Sequence, residues 1–334
     1  MNIHRIAVIG TINRDIIITS RGTCHESLGG ILYNVLAFAE LGAELLSVSP
    51  ITYAGPDVKP SLFEILHHRK AISLEGINGI PGSTNTNRLR YLNENERKET
   101  LAFHTPPIPF EMIEPYLDYD ILLFNFIAGY DVSLETLQAV RNRTGAFLCV
   151  DVHSMVLKQT MDEERTFGSV KHWQTWAAQA DMIQMNTKEL LYFTGNGDRG
   201  KPADAISVRT LMKELLDLGP QLVVITAGKR GVYLGTPQGI YFFPQRYRAP
   251  AKDTTGCGDI FTASFLAKLL VSQDPFIACD YANVLAGFAT REKGIKKCSS
   301  LKHFSPLCMI PNPSTTSTHP LLSNHSRSGS CGSP

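Results

Sequence analysis

No pair of cysteines in this chain is spaced as Cys-x-x-Cys. Seven cysteines occur, at positions 24, 149, 257, 279, 298, 308 and 331, an odd number. That pattern gives no support to a disulfide framework or a cysteine metal site, and reduced thiols are the default. The ten histidines show no metal-ligand spacing either; the His67-His68 pair reads as solvated on a helix. No long basic block is present and the net charge is only +1, so neither nucleic acid nor a membrane surface is an expected partner. The longest apolar runs are strand-length, too short to span a bilayer. The N-terminus lacks a signal-peptide pattern, because Arg5 and Asp15 bracket only a short apolar run; a cytoplasmic protein is expected. Acidic residues are missing after Glu292, and from Ser299 the chain is rich in Ser, Thr, Pro and His. Such a segment buries too little apolar surface to fold alone, so residues 299–334 are expected to be a disordered tail, or a read-through in an altered frame.

What remains is ample for a full core: 334 residues, 43% hydrophobic and 19% charged. Short apolar runs at Ile6–Ile9, Leu45–Val48, Ile121–Asn125, Phe147–Val152, Met182–Met185 and Val223–Thr226 alternate with helical patterns near 31–41, 58–69, 133–142, 170–179, 187–194 and 203–218. The alternation predicts an α/β fold of three layers, α/β/α, around a mostly parallel sheet. Ligands of such sheets bind beyond the carboxyl ends of the strands. One segment departs from the pattern: 86–92 and 98–104 flank Asn93-Glu94-Asn95-Glu96 and read as a hairpin with one wet face. Arg88 and Arg90 share a face of it and are expected to be exposed. Trp173 and Trp176, three apart on one helix face, are expected in the core.

The chemistry concentrates in Asp253-Thr254-Thr255-Gly256-Cys257-Gly258-Asp259, just before the apolar run 260–270. Two glycines flank a small residue where a helix should begin. Backbone N–H groups there can converge on an anion, with help from the helix dipole. Asp259 then falls in the first turn, beside that anion. A carboxylate in that place either caps the helix or handles a proton. Phosphoryl transfer to an alcohol needs this set: donors for the moving group at Gly256, Cys257 and Gly258, and a base at Asp259. A nucleophilic Cys257 is the weaker idea, since no histidine partner is identifiable.

That string resembles the DTxGAGD signature of the ribokinase-like (PfkB) carbohydrate kinases, with Cys257 where Ala is usual. Other stretches, in the right order, resemble the same family over about residues 4–295. Gly10-Thr11-Ile12-Asn13-Arg14-Asp15 is similar to its GxxNxD, and Gly29-Gly30-Ile31-Leu32-Tyr33-Asn34 to its GGxxxN. Asn186-Thr187-Lys188-Glu189 fits NxxE, and Val223 to Gly231 resembles the strand and turn that line the nucleotide. The resemblance implies ATP as donor, Mg²⁺, a K⁺ ion in many relatives, and a small polyol acceptor: a sugar, nucleoside or cyclitol. It implies that Asn13, Asp15, Gly30 and Asn34 meet the acceptor, and that Asn186, Thr226, Gly228 and Gly231 meet the nucleotide. Glu189 would organise Mg²⁺ through water, and Asp253 would be structural or help hold the monovalent cation. Asn186 and Glu189 equally suit a capping box. His153, in Asp151-Val152-His153, stands where many relatives carry Asn. The kinase domain is expected over 1–298, with lid elements at about 14–28 and 84–105. The loop between Asp15 and Gly29 is short for the family, so the small β lid should be reduced and the protein a monomer or homodimer. Two rivals are a pyridoxal or hydroxymethylpyrimidine kinase of the same fold and a non-catalytic small-molecule sensor.

Overall fold

The computed structural model describes residues 3–303 apart from 20–21, 43, 93–96, 103, 162, 198–203 and 248. The first half supplies strands β1 (His4–Gly10), β2 (Arg14–Ile18), β3 (Cys24–Leu28), β4 (Leu46–Ala54), β5 (Ile77–Gly79), β6 (Thr86–Tyr91), β7 (Arg97–Ala102) and β8 (Ile121–Asn125). The second supplies β9 (Phe147–Asp151), β10 (Met182–Asn186), β11 (Leu222–Thr226), β12 (Gly231–Thr236) and β13 (Gly239–Pro244). Nine strands form one sheet in the order β13-β12-β11-β10-β9-β8-β1-β4-β5. From β5 to β11 every pairing is parallel. The β12–β13 hairpin closes the sheet antiparallel, a departure from the alternating pattern of the sequence.

The helices are α1 (Leu32–Leu41), α2 (Lys59–Leu66), α3 (Phe110–Ile113), α4 (Leu134–Arg143), α5 (Trp173–Ala177), α6 (Thr187–Phe193), α7 (Ala205–Asp217), α8 (Cys257–Ser272), α9 (Pro275–Ala289) and α10 (Lys296–Ser300). Strand β1 shows why they must cover both faces. Ile6 and Val8 enter the core shared with α1, α8 and α9. Ala7 and Ile9 enter the one shared with α4, α6 and α7. A strand buried on both sides is a continuous apolar run, as the sequence has it. Helix α8 is buried along Asp259 to Leu270 without an exposed face, which explains its unbroken apolar stretch. Trp173 and Trp176, expected in the core, are half-buried and pack edge-on against Phe193 and Phe126 at its margin.

The remaining strands form a small second sheet, β3-β2-β6-β7. The short loop after Asp15 is itself a hairpin, β2–β3, and β2 also pairs in parallel with β6. Pairing places Asp15 beside Asn87, and Leu89 opposite Glu99. The pleat turns Arg88 and Arg90 outward, where both are exposed. The expected domain end at 298 needs correction. Cys298 and Leu301 are fully buried in the core with α1, so packed structure runs past that point. The expected tail from 304 onward lies outside the described residues.

Candidate active site

A cavity of about 440 Å³ opens between the carboxyl ends of the central strands and the small sheet. Its inner wall is the start of α8. Gly256 holds φ +73 just before that helix, and a Cβ there would lie 2.5 Å from the Tyr33 ring. Glycine is therefore required twice over, by the left-handed backbone and by the close approach. Gly256, Gly258 and Asp259 all line the cavity. Cys257 does not. Its N–H donates to the Thr254 carbonyl at 3.2 Å, so it is not one of the anion donors the sequence suggested. Burial pushes its thiol up to about 11, which removes the case for a nucleophile.

Asp259 is held from two sides. Asn125, the last residue of β8, donates from Nδ2 to Asp259 Oδ1 at 2.7 Å. Asn34 Nδ2 donates to the Asp259 carbonyl at 2.9 Å, and Asn34 Oδ1 accepts from Asn125 at 2.9 Å. Asn34 is fully buried and absent from the cavity wall, so it locks α1 to α8 and does not face an acceptor. Asp259 shares the cavity floor with Asp151, whose Oδ2 accepts from Thr262 Oγ1 at 2.9 Å. Burial raises the carboxyl of Asp259, against the nearby His153 and the Asn125 hydrogen bond. Burial, then the charges of Asp259 and Glu189, raise that of Asp151 further.

On one side of this floor lie Asn13, Asp15 and Gly30. With them come Asn87, Leu89 and Glu99 of the small sheet, which sequence reasoning missed. The Oδ1 atoms of Asn13 and Asn87 are buried without a hydrogen-bond partner. Two orphaned acceptors on a cavity wall are places for donors of a ligand. Glu99 is positioned by Arg165, whose side chain is almost wholly buried and whose Nη1 lies 3.1 Å from Glu99 Oε1. Arg165 N–H also donates to the Glu99 carbonyl at 2.8 Å, which stitches the insert after β9 to the lid, and its Nη2 donates at 2.8 Å to the carbonyl of Ala128, just after β8.

On the other side lie Asn186, Glu189 and Thr226. The capping box is fully formed: Asn186 N–H donates to Glu189 Oε2 at 2.7 Å and Asn186 Nδ2 to Oε1 at 2.5 Å. Both oxygens of Glu189 thus have protein donors, and no cluster of three or more acidic, His or Cys residues able to hold a metal occurs among the described residues. The donor set suits a hydrated Mg²⁺ reached through water, not one ligated directly. Gly228 and Gly231 form the turn between β11 and β12, outside the cavity wall. His153 lines the cavity with a left-handed backbone, φ +36, rare for a residue with a Cβ. Its Nδ1 is 2.8 Å from Ser154 Oγ.

Asp253 lies behind the wall. Its Oδ1 accepts from Thr255 N–H at 2.8 Å and Oδ2 from Gly294 N–H at 2.9 Å. Burial alone would raise this carboxyl, but those donors and Lys297 hold it below its usual range. Lys297 Nζ sits 3.2 Å from Asp253 Oδ2, 3.1 Å from the Asp253 carbonyl and 2.6 Å from that of Thr255. The oxygens expected to hold a K⁺ ion are therefore taken, and K⁺ does not fit there.

Residues 144–302 match the family model of the pfkB family carbohydrate kinases. Over that stretch, a little under half of its length, the chain is similar to this ribokinase-like family. A ribokinase of Staphylococcus aureus is 34% identical over 115 residues, 34% of this chain and 36% of that one. The aligned stretch thus spans about a third of that curated relative. Solved structures agree in fold over nearly the whole length. A pyrophosphate-dependent kinase in the ribokinase family superposes with a TM-score of 0.73 at 17% identity, over 87% of this chain and 98% of that one. Arabidopsis thaliana ribokinase complexed with ribose and ATP gives 0.69 at 18% identity, over 91% and 100%. No helix among the described residues is long and apolar enough to cross a membrane.

Proposed function

We propose that this protein transfers the γ-phosphate of ATP to a hydroxyl of a small unphosphorylated polyol: a sugar, nucleoside or cyclitol. The observation that carries the reading is the place of Asp259. Its buried carboxylate forms the floor of a cavity that the N-terminus of α8 also enters, with hydrogen-bond acceptors on one side and Asn186, Glu189 and Thr226 on the other. An acceptor hydroxyl resting between Asn13, Asp15 and Asn87 can pass its proton to Asp259 as its oxygen attacks the γ-phosphorus. The bond to the β-phosphate oxygen breaks, ADP leaves, and the backbone at Gly256 and Gly258 stabilises the charge on the moving group.

The charge of the wall supports an acceptor without a phosphate. Asp15, Glu99, Asp151, Glu189 and Asp259 line it, no Lys or Arg does among the described residues, and His153 is its one basic side chain. Such a wall repels an anionic acceptor and favours hydroxyl donors. A Mg²⁺ ion on the donor phosphates, reached by Glu189 through water, would supply the charge compensation these carboxylates do not. The test is a phosphoryl-transfer screen of sugars, nucleosides, inositols, pyridoxal and pyrimidine alcohols. Each acceptor is run with ATP and, separately, with inorganic pyrophosphate. Turnover with pyrophosphate alone would overturn ATP as donor; binding without turnover of any acceptor would favour a sensor.

A further inference from the structure

The loop that opens the anion site has a cation beneath it that belongs to the chain itself. Lys297 comes from α10, about forty residues after the loop, and is fully buried. Its ammonium has three N–H groups and meets three oxygens: the carbonyls of Asp253 and Thr255 and the Asp253 carboxylate. The Tyr33 ring, 5.9 Å away, and Cys257 Sγ, at 3.9 Å, complete its surroundings. Two carbonyls and a carboxylate converging on one positive centre make a hard-oxygen cage, the kind that suits an alkali cation as well as an ammonium. The bonds are made at residues 253 and 255, directly before Gly256, where the chain turns left-handed into α8.

We propose that Lys297 is an internal monovalent cation. Its ammonium stands where a K⁺ ion would otherwise order loop 253–258, so that phosphoryl transfer by this protein needs no K⁺. Lys297 is a positioning residue: it reaches the transferred group only through the backbone of the loop. A buried ammonium is stable there only because the cage compensates its lost hydration. Emptying the cage turns two carbonyls and a carboxylate toward one another, and the loop must open to relieve them. The proposal rests on the reading of this loop as the phosphoryl site.

The first measurement uses the unaltered protein. Its kcat is compared in buffers whose only monovalent cation is tetramethylammonium or K⁺. The expected difference is below about fivefold, the lower edge of ordinary effector coupling; a larger activation by K⁺ overturns the proposal. The second uses Lys297→Ala and Lys297→Met. Both should lose kcat on the order of 10²-fold, as when one donor of an oxyanion site is removed. Lys297→Ala leaves room for an ion and should be partly restored by K⁺ or NH₄⁺. Lys297→Met fills the space without charge and should not be. Wild-type turnover in Lys297→Met, or no restoration of Lys297→Ala, would reduce Lys297 to packing and overturn the proposal. Should no acceptor be turned over, the kinase reading fails separately. Calorimetric binding of ATP or pyrophosphate, with and without K⁺, then reads the loop directly: K⁺-dependent binding by the wild type overturns the proposal, and K⁺-independent binding supports it.

Discussion

Replacing Asp259 by Asn removes one proton acceptor and little else. The amide keeps the size of the carboxylate, and its Oδ1 can still accept from Asn125, which now donates at 2.7 Å. Asn34 binds the backbone carbonyl of residue 259, which the substitution leaves in place. The fold should therefore survive. Loss of a general base costs about 10²–10⁴-fold in rate, which is ~3 to 5 kcal/mol of barrier at 1.36 kcal/mol per tenfold. The same substitution should raise the melting temperature, for a reason that carries its own pH signature. Burial raises the Asp259 carboxyl above its unfolded value, so the charged form strains the folded state relative to the protonated one. Asn mimics the protonated form. Its stabilising effect should be full above the raised pKa, fade as pH falls through it, where the folded wild type takes up a proton, and vanish below the lower, unfolded value. In turnover the sign is reversed: the base must be ionised, so wild-type activity should fall as pH drops through that raised value. Stopped-time assays of kcat and thermal melts across acid to neutral pH check both. Wild-type kcat in Asp259→Asn would remove Asp259 as the base. A melting temperature lower than wild type at neutral pH would show that its charge is stabilised, contrary to the burial argument.

Other substitutions separate roles that share the same cavity. Glu189→Gln should raise the Mg²⁺ concentration needed for half-maximal rate and also weaken the cap of α6 by about 1 kcal/mol; unchanged metal dependence would leave Glu189 a cap only. Glu99→Gln should raise KM for the acceptor about tenfold or more with kcat nearly unchanged, because a charge-assisted contact made equally in ground and transition states is weakened; an unchanged KM would place the acceptor away from the lid. Asn34→Ala should cost about 1–3 kcal/mol of stability, measured by denaturant melts, by removing two buried hydrogen bonds, one to the Asp259 carbonyl and one from the Asn125 amide. Its acceptor KM should stay near wild type, and a large rise in KM with no stability loss would return Asn34 to the acceptor site.

The sheet was legible because burial on both faces writes itself as short apolar runs. Each expected strand from Ile6 to Val223 is present, within a few residues at its ends except β4, which runs on to Ala54. The β12–β13 hairpin was less legible, since an antiparallel edge strand carries no helix after it to mark its end. The hairpin β2–β3 hid in a thirteen-residue stretch whose exposed strand, Cys24–Leu28, reads as loop by composition. At the site, residues bound to backbone geometry were readable: glycines that permit a left-handed turn, an Asp in a first helical turn, an Asn before a Glu at a cap. Asn125 carried a weak signal that could have been used, as a polar residue ending a buried strand in a fold whose ligands lie at such ends.

Arg165, Glu99 and Lys297 carried no such signal, and the reason is general to buried charge. Each is one of many Lys, Arg or Glu residues in the chain, and nothing local distinguishes a lysine that will be fully buried from one that will be solvated. Its partners are 42 and 44 residues away at Thr255 and Asp253. Burial of the ammonium is stable only when those distant oxygens converge, so its role is a property of the folded arrangement and of no sequence window. The same logic decides which reading of Asp253 survives. Taken alone, the loop Asp253-Thr254-Thr255 offers oxygens to any monovalent cation. Taken with α10 packed beneath it, the loop already has its cation at a fixed position and with no ion concentration on which to depend. A site that looks incomplete in sequence can therefore be complete in the fold, and the charge that completes it is found by asking what faces each buried oxygen.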